Sequence, residues 1–126
     1  MATTMPMAVS SGASDWIHLE ALNRYPNLKV CFSESGIGWI PFILETMDYE
    51  ILENAPEQAK ELSKAPSEYF ADHWWSTFWF ETNKGDLQGL IDKVGEDNVM
   101  FETDFPHPTS LYPGVQRGTA NSIHHQ

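Results

Sequence analysis

Val99-Met100-Phe101-Glu102-Thr103-Asp104-Phe105-Pro106-His107-Pro108 decides how this chain is read. The stretch opens as an apolar run, reaches a carboxylate at Asp104, and then breaks on two prolines that flank a histidine. Proline brings no N–H to a sheet ladder and fixes its own φ, so a strand here has to end near Asp104. An acid at the C-terminal end of a strand, with an imidazole three residues on, stands where parallel α/β proteins place their chemistry. The same residues also suit a plain strand and turn carrying a solvated aspartate and a surface histidine. The flanking sequence has to decide between the two.

Immediately upstream, Leu87, Leu90, Ile91 and Val94 recur at i, i+3, i+4 and i+7, which predicts a helix closed by Gly95 as its C-cap. Before it, Trp74-Trp75-Ser76-Thr77-Phe78-Trp79-Phe80 is rich in the aromatic residues that suit a pleated surface, and predicts a second strand. Pro41, Pro56 and Pro66 each stand where a helix can begin. They predict a helix through about Asn54 with Phe42, Ile43, Met47 and Ile51 on a broad apolar face that Leu44 and Leu52 can extend, then short pieces at 57–63 and 67–72. Leu28-Lys29-Val30-Cys31-Phe32 predicts a third strand with both faces covered and Cys31 buried. It runs into Ser33-Glu34-Ser35-Gly36-Ile37-Gly38, where two glycines permit a tight turn or a close backbone approach. Asp15 can cap a short helix bearing Trp16, Leu19 and Leu22. Residues 1–14 read as a flexible lead-in, 15–113 as one domain, and 114–126 as a frayed tail.

Strands separated by helices imply right-handed crossovers and a parallel sheet, so the expected class is α/β with about three parallel strands and intervening helices. The strand exits echo one another. Phe80-Glu81-Thr82-Asn83 parallels Phe101-Glu102-Thr103-Asp104, and Phe32-Ser33-Glu34-Ser35 is a looser third copy. Parallel strands would then present Glu34, Asn83 and Asp104 along one rim. Period-two alternation would put Asp104 and Glu102 on a common face.

Composition narrows the partners. The 126 residues suffice for one domain but not for a complete eight-unit barrel of ~250 residues. A net charge of −11 argues against a nucleic-acid phosphate backbone or an anionic membrane surface. Cys31 is the single cysteine, which excludes an intrachain disulfide and a cysteine-cluster metal site. No apolar run approaches the ~20 residues of a membrane span, and the N-terminus lacks a signal-peptide pattern, so the expected location is the cytoplasm.

Taken together, Leu28 to Phe32, Glu34-Ser35-Gly36-Ile37-Gly38-Trp39-Ile40-Pro41-Phe42 and Asn98 to His107 resemble the amidohydrolase-related family of metal-dependent TIM-barrel enzymes. That family includes the aminocarboxymuconate-semialdehyde decarboxylase type. The likeness runs from about Trp16 to Pro113 and corresponds to the last third of the family's barrel, which makes the chain a partial (β/α) barrel. The resemblance implies that Asp104 binds a divalent metal, usually zinc, and takes a catalytic part. A carboxylate at a strand end can hold such an ion and orient its water. Glu34 stands where decarboxylase members carry a catalytic histidine, and His107 matches a frequent family residue that neighbours the site. The family's His-x-His pair and its further histidine ligand have no counterpart here. The resemblance thus implies hydrolysis or decarboxylation of a small carboxylate- or amide-type substrate, with the isolated chain inactive. The other reading is a non-catalytic α/β unit that self-associates, or that completes a barrel with a partner chain supplying the N-terminal half.

Overall fold

The computed structural model describes residues 21–108 and Ser110. The expected lead-in at 1–14, the Asp15 cap with Trp16 and Leu19, and the tail at 114–126 lie outside these residues. Three parallel strands, β1 (Val30–Phe32), β2 (Trp74–Phe78) and β3 (Val99–Phe101), form one sheet in the order β1-β2-β3. Ser76, Thr77 and Phe78 of β2 stand opposite Val99, Met100 and Phe101 of β3. Each strand is shorter than the apolar run that announced it. Contacts divide the described chain into two compact units, residues 21–31 with 39–74 and residues 32–38 with 75–110, and the division passes through β1 and β2.

The first unit is mainly helical, with α1 (Ala21–Arg24), α2 (Ile40–Asn54), α3 (Pro56–Ala59) and α4 (Pro66–His73). Proline opens α2, α3 and α4 within the first two positions, where its missing N–H leaves no bond unmade. In α2 the buried residues are Ile40, Met47 and Ile51, which fall on one stripe at 100° per residue. Phe42 lies about 200° round the helix from Ile40, and it and Leu52 are each 69% exposed, so the inward stripe is narrower than the sequence suggested. In α4, Pro66, Tyr69, Phe70 and His73 are buried at i, i+3, i+4 and i+7. Phe70 stacks on Trp74 with centroids 6.4 Å apart. The Asp48 carboxylate of α2 accepts the Ser67 N–H at 3.0 Å and fastens the start of α4. The expected second piece at 57–63 is only the single turn α3, because it has no apolar face to bury.

The second unit contains the C-terminal part of β2, then α5 (Leu87–Val94) and β3. α5 forms as its periodicity predicts, with Leu87, Leu90, Ile91 and Val94 all buried. Fully covering each such side chain contributes roughly 1.5–3 kcal/mol. Asp86 caps the helix by accepting the Gly89 N–H at 3.1 Å, and Gly95, at φ 108°, ends it with an N–H donated to the Ile91 carbonyl at 2.9 Å. Two expectations need correction. Cys31 is exposed rather than buried, since it points to the opposite face of β1 from the half-buried Val30 and Phe32, and that face is uncovered at Cys31. Trp79 and Phe80 leave the ladder and pack edge to face on each other at 4.7 Å instead of continuing β2. Among the described residues, no helix is long and apolar enough to cross a membrane.

Candidate active site

The site is assembled by the segments that follow β1 and β3. β3 gives up its ladder after Phe101, although the Glu102 N–H still reaches the Phe78 carbonyl at 3.0 Å. Asp104 then turns into the left-handed region at φ 57°, a conformation that aspartate tolerates better than most residues. The His107 N–H closes a turn on the Asp104 carbonyl at 2.8 Å across a cis Phe105–Pro106 peptide. Strand alternation therefore stops short of Asp104, and the common face expected for Glu102 and Asp104 does not exist. The turn returns the His107 ring to the aspartate, with Nδ1 3.2 Å from Oδ2. The Asp104 side chain is 6% exposed, whereas that of His107 is 62% exposed. A buried carboxylate held by an imidazole whose ring reaches solvent is a well-oriented polar pair.

Glu34 joins them. Together with Asp104, Phe105, Pro106, His107 and Pro108 it lines an open cleft of about 400 Å³. Its φ of 55° is left-handed, an unusual state for a glutamate. Backbone in this region costs of order 1–3 kcal/mol and persists only where surrounding bonds impose it. Here the Glu34 N–H is shared between Thr77 Oγ1 at 2.8 Å and Glu102 Oε1 at 3.1 Å. Asn83, the third residue expected at the rim, opens the 3₁₀ turn Asn83–Gly85, five residues past the end of β2.

Sequence reasoning did not single out the groups that hold this cleft's first wall. Thr77 Oγ1 donates to Glu102 Oε1 at 2.7 Å, and Ser33 Oγ lies 3.5 Å from Glu102 Oε2. Farther along the loop, Glu81 Oε1 accepts the Ile37 N–H at 2.7 Å and the Gly38 N–H at 3.0 Å. A buried pair of hydroxyls, Ser35 and Ser76, meets at 2.5 Å with one donating to the other, and each oxygen lies 3.1 Å from the Gly36 carbonyl, which the remaining proton can reach. The signal for Glu81 and Glu102 was present as the echoed Phe-Glu-Thr. Its repeated element is the glutamate that binds the loop after β1, rather than a residue presented at the rim.

A parallel α/β unit with two carboxylates and an imidazole gathered at its strand exits has the layout of a barrel-type enzyme site. The comparisons give the family: the amidohydrolase family model matches residues 6–119, and the chain belongs to that family. It is 29% identical over 111 residues to the 2-amino-3-carboxymuconate-6-semialdehyde decarboxylase of Dictyostelium discoideum, covering 87% of this chain and 30% of the relative. The 5-carboxyvanillate decarboxylase LigW of Sphingomonas paucimobilis superposes with a TM-score of 0.65 at 30% identity, over 80% of this chain and 30% of that one. An amidohydrolase of Mycobacterium avium subsp. paratuberculosis K-10 superposes with a TM-score of 0.75 at 18% identity, over 95% of this chain and 29% of that one, a likeness of fold. The chain thus spans about 30% of the length of the curated relative it matches.

Amidohydrolase-family members are typically metal-dependent, and the donor set here can be tested against that requirement. A catalytic zinc takes three protein ligands and a structural one four. Among the described residues, no three His, Cys, Asp or Glu side chains are placed to hold one metal ion. These residues do not build a metal site by themselves.

Proposed function

We propose that this chain is the C-terminal part of a metal-dependent amidohydrolase-family enzyme that hydrolyses or decarboxylates a small carboxylate- or amide-type substrate. The observation that carries the proposal is the shared cleft, in which the buried Asp104 carboxylate and Glu34 stand at the exits of two parallel strands. Asp104 is the catalytic carboxylate and this chain's contribution to the metal, with zinc as the expected ion. Glu34 is the second catalytic carboxylate, in the place where decarboxylase members carry a histidine. His107 holds Asp104 through the 3.2 Å contact, as outer groups do for metal-binding side chains. The match to 30% of a relative's length supports a chain whose partner ligands lie on upstream strands, and one that is inactive alone. The domain spans 15–113, and the cytoplasm is its expected location.

The proposal is tested by grafting the chain onto the upstream two thirds of the Sphingomonas decarboxylase and measuring bound zinc. One ion per chimera is expected, falling at least tenfold in occupancy or affinity on Asp104→Ala. Undiminished zinc in that variant would remove Asp104 from the ligand set.

A second reading is favoured by one observation. β3 is an outer strand of the sheet, and its Met100 and Phe101 are 39% and 43% exposed. An apolar outer strand is a template for further strand pairing. In this reading the chain pairs with a second copy, or with a separate polypeptide carrying the N-terminal half of the barrel. Sedimentation at rising concentration distinguishes the cases, since a strictly monomeric chain contradicts self-association.

A further inference from the structure

We infer that Glu102, acting together with Thr77, is the positioning residue that fixes Glu34 on the wall of the cleft. The inference rests on the reading above for the use made of Glu34, but not for its position.

A glutamate at φ 55° does not hold that conformation by its own preference. It requires an acceptor placed where its N–H comes to point, and two are present, Thr77 Oγ1 at 2.8 Å and Glu102 Oε1 at 3.1 Å. The acceptors are themselves joined, because the Thr77 hydroxyl donates to the same Glu102 oxygen at 2.7 Å. Thr77 lies in β2, and the Glu102 N–H is tied to the Phe78 carbonyl, so both partners are fixed by the ladder. The other end of the loop is held separately. Glu81 Oε1 receives the Ile37 and Gly38 N–H groups, and Gly36, at φ 69°, lets it approach. A Cβ on Gly36 would stand 2.7 Å from that oxygen. The loop after β1 is therefore held by two carboxylates, one following each of the other strands. The Glu102 clamp governs Glu34, and the Glu81 clamp governs the glycine turn.

Charge is not what the clamp needs; an acceptor is. Glutamine at 102 retains a carbonyl oxygen for Glu34 and Thr77, whereas leucine retains none. The test is amide hydrogen exchange by NMR on the full 126-residue chain, comparing Glu102→Leu, Glu102→Gln and Thr77→Val. Glu34 should exchange about tenfold faster or more in Glu102→Leu and in Thr77→Val. The Gly38 amide, held by Glu81, should keep its rate in both. Glu102→Gln should return Glu34 to within a few-fold of its original rate. Thr77→Val preserves the β2 side-chain volume, so it reports even if Glu102→Leu fails to fold. An unchanged Glu34 rate in Thr77→Val, or Glu34 and Gly38 accelerating together, overturns the inference. Turnover by the chimera after Glu34→Gln addresses the functional reading alone. If Glu34 exchange responds as stated while that variant keeps full activity, the clamp stands and the catalytic use of Glu34 falls.

Discussion

Gly36→Ala probes the loop most sharply, because backbone and side-chain geometry both oppose the substitution. Gly36 sits at φ 69°, and an alanine held there costs about 1–2 kcal/mol. The added Cβ would also meet Glu81, with Oε1 at 2.7 Å, Cδ at 3.1 Å and Oε2 at 3.3 Å. Glu81 would have to withdraw from a position where Oε1 binds two backbone N–H groups and Oε2 is buried without a partner. Losing a hydrogen bond to a charged acceptor costs about 1.5–3 kcal/mol. Stiffening of the unfolded chain by the Gly→Ala change returns about 0.5 kcal/mol. The net expectation is a loss of about 2–4 kcal/mol, read from urea denaturation followed by tryptophan fluorescence. In a Glu81→Ala background the steric part disappears, and Gly36→Ala should cost only about 1 kcal/mol. A loss below about 0.5 kcal/mol, or the same loss in both backgrounds, would refute the close approach of Glu81 to Gly36.

The remaining expectations concern other parts of the chain. Asp86→Ala removes the N-cap of α5 and should cost about 1 kcal/mol in the same denaturation assay, whereas Asp86→Asn should be nearly silent. The Lys64–Asp72 ion pair lowers the Asp72 carboxyl from its usual 3.8 and raises the Lys64 ammonium from 10.5. Its contribution is therefore complete between those values, lost as pH falls through the lowered Asp72 value, and lost as pH rises through the raised Lys64 value. Both groups are solvent-exposed, so Asp72→Asn should flatten the acid limb of the stability profile slightly, and salt should mimic it. Met100→Lys on β3 should change the stability of the chain by less than about 0.5 kcal/mol. If the chain associates through that strand, the same substitution should abolish association in sedimentation.

Much of the architecture was legible. The i, i+3, i+4, i+7 spacing of Leu87 to Val94 located α5 to the residue, and the prolines at 41, 56 and 66 marked three helix starts. The strands were found but overextended, because Trp79, Phe80 and Thr103 carry strand-like side chains while lying beyond the ends of β2 and β3. Cys31 was misplaced because a run with one charge looks the same whether a strand is covered on both faces or on one. Of the proposed site, the sequence picks out Glu34, Asp104 and His107, and these three line one cleft. What the sequence hid was the role of the repeated Phe-Glu-Thr. Periodicity places a glutamate on a face but cannot show that backbone N–H groups from residues 43 to 68 positions away will bind it. Left-handed backbone at Glu34 and Asp104 was equally invisible, since neither residue type demands it.

The proposed function has this chain carry part of a metal site and not the whole. Equilibrium dialysis of the 126-residue chain against zinc addresses it directly. Weak binding, millimolar or poorer and insensitive to Asp104→Ala, is the expected result, because the described residues bring one carboxylate and its imidazole rather than a three-ligand site. Stoichiometric binding at micromolar zinc or below, lost in Asp104→Ala, would show that the chain builds a complete site from its own residues and would contradict the account.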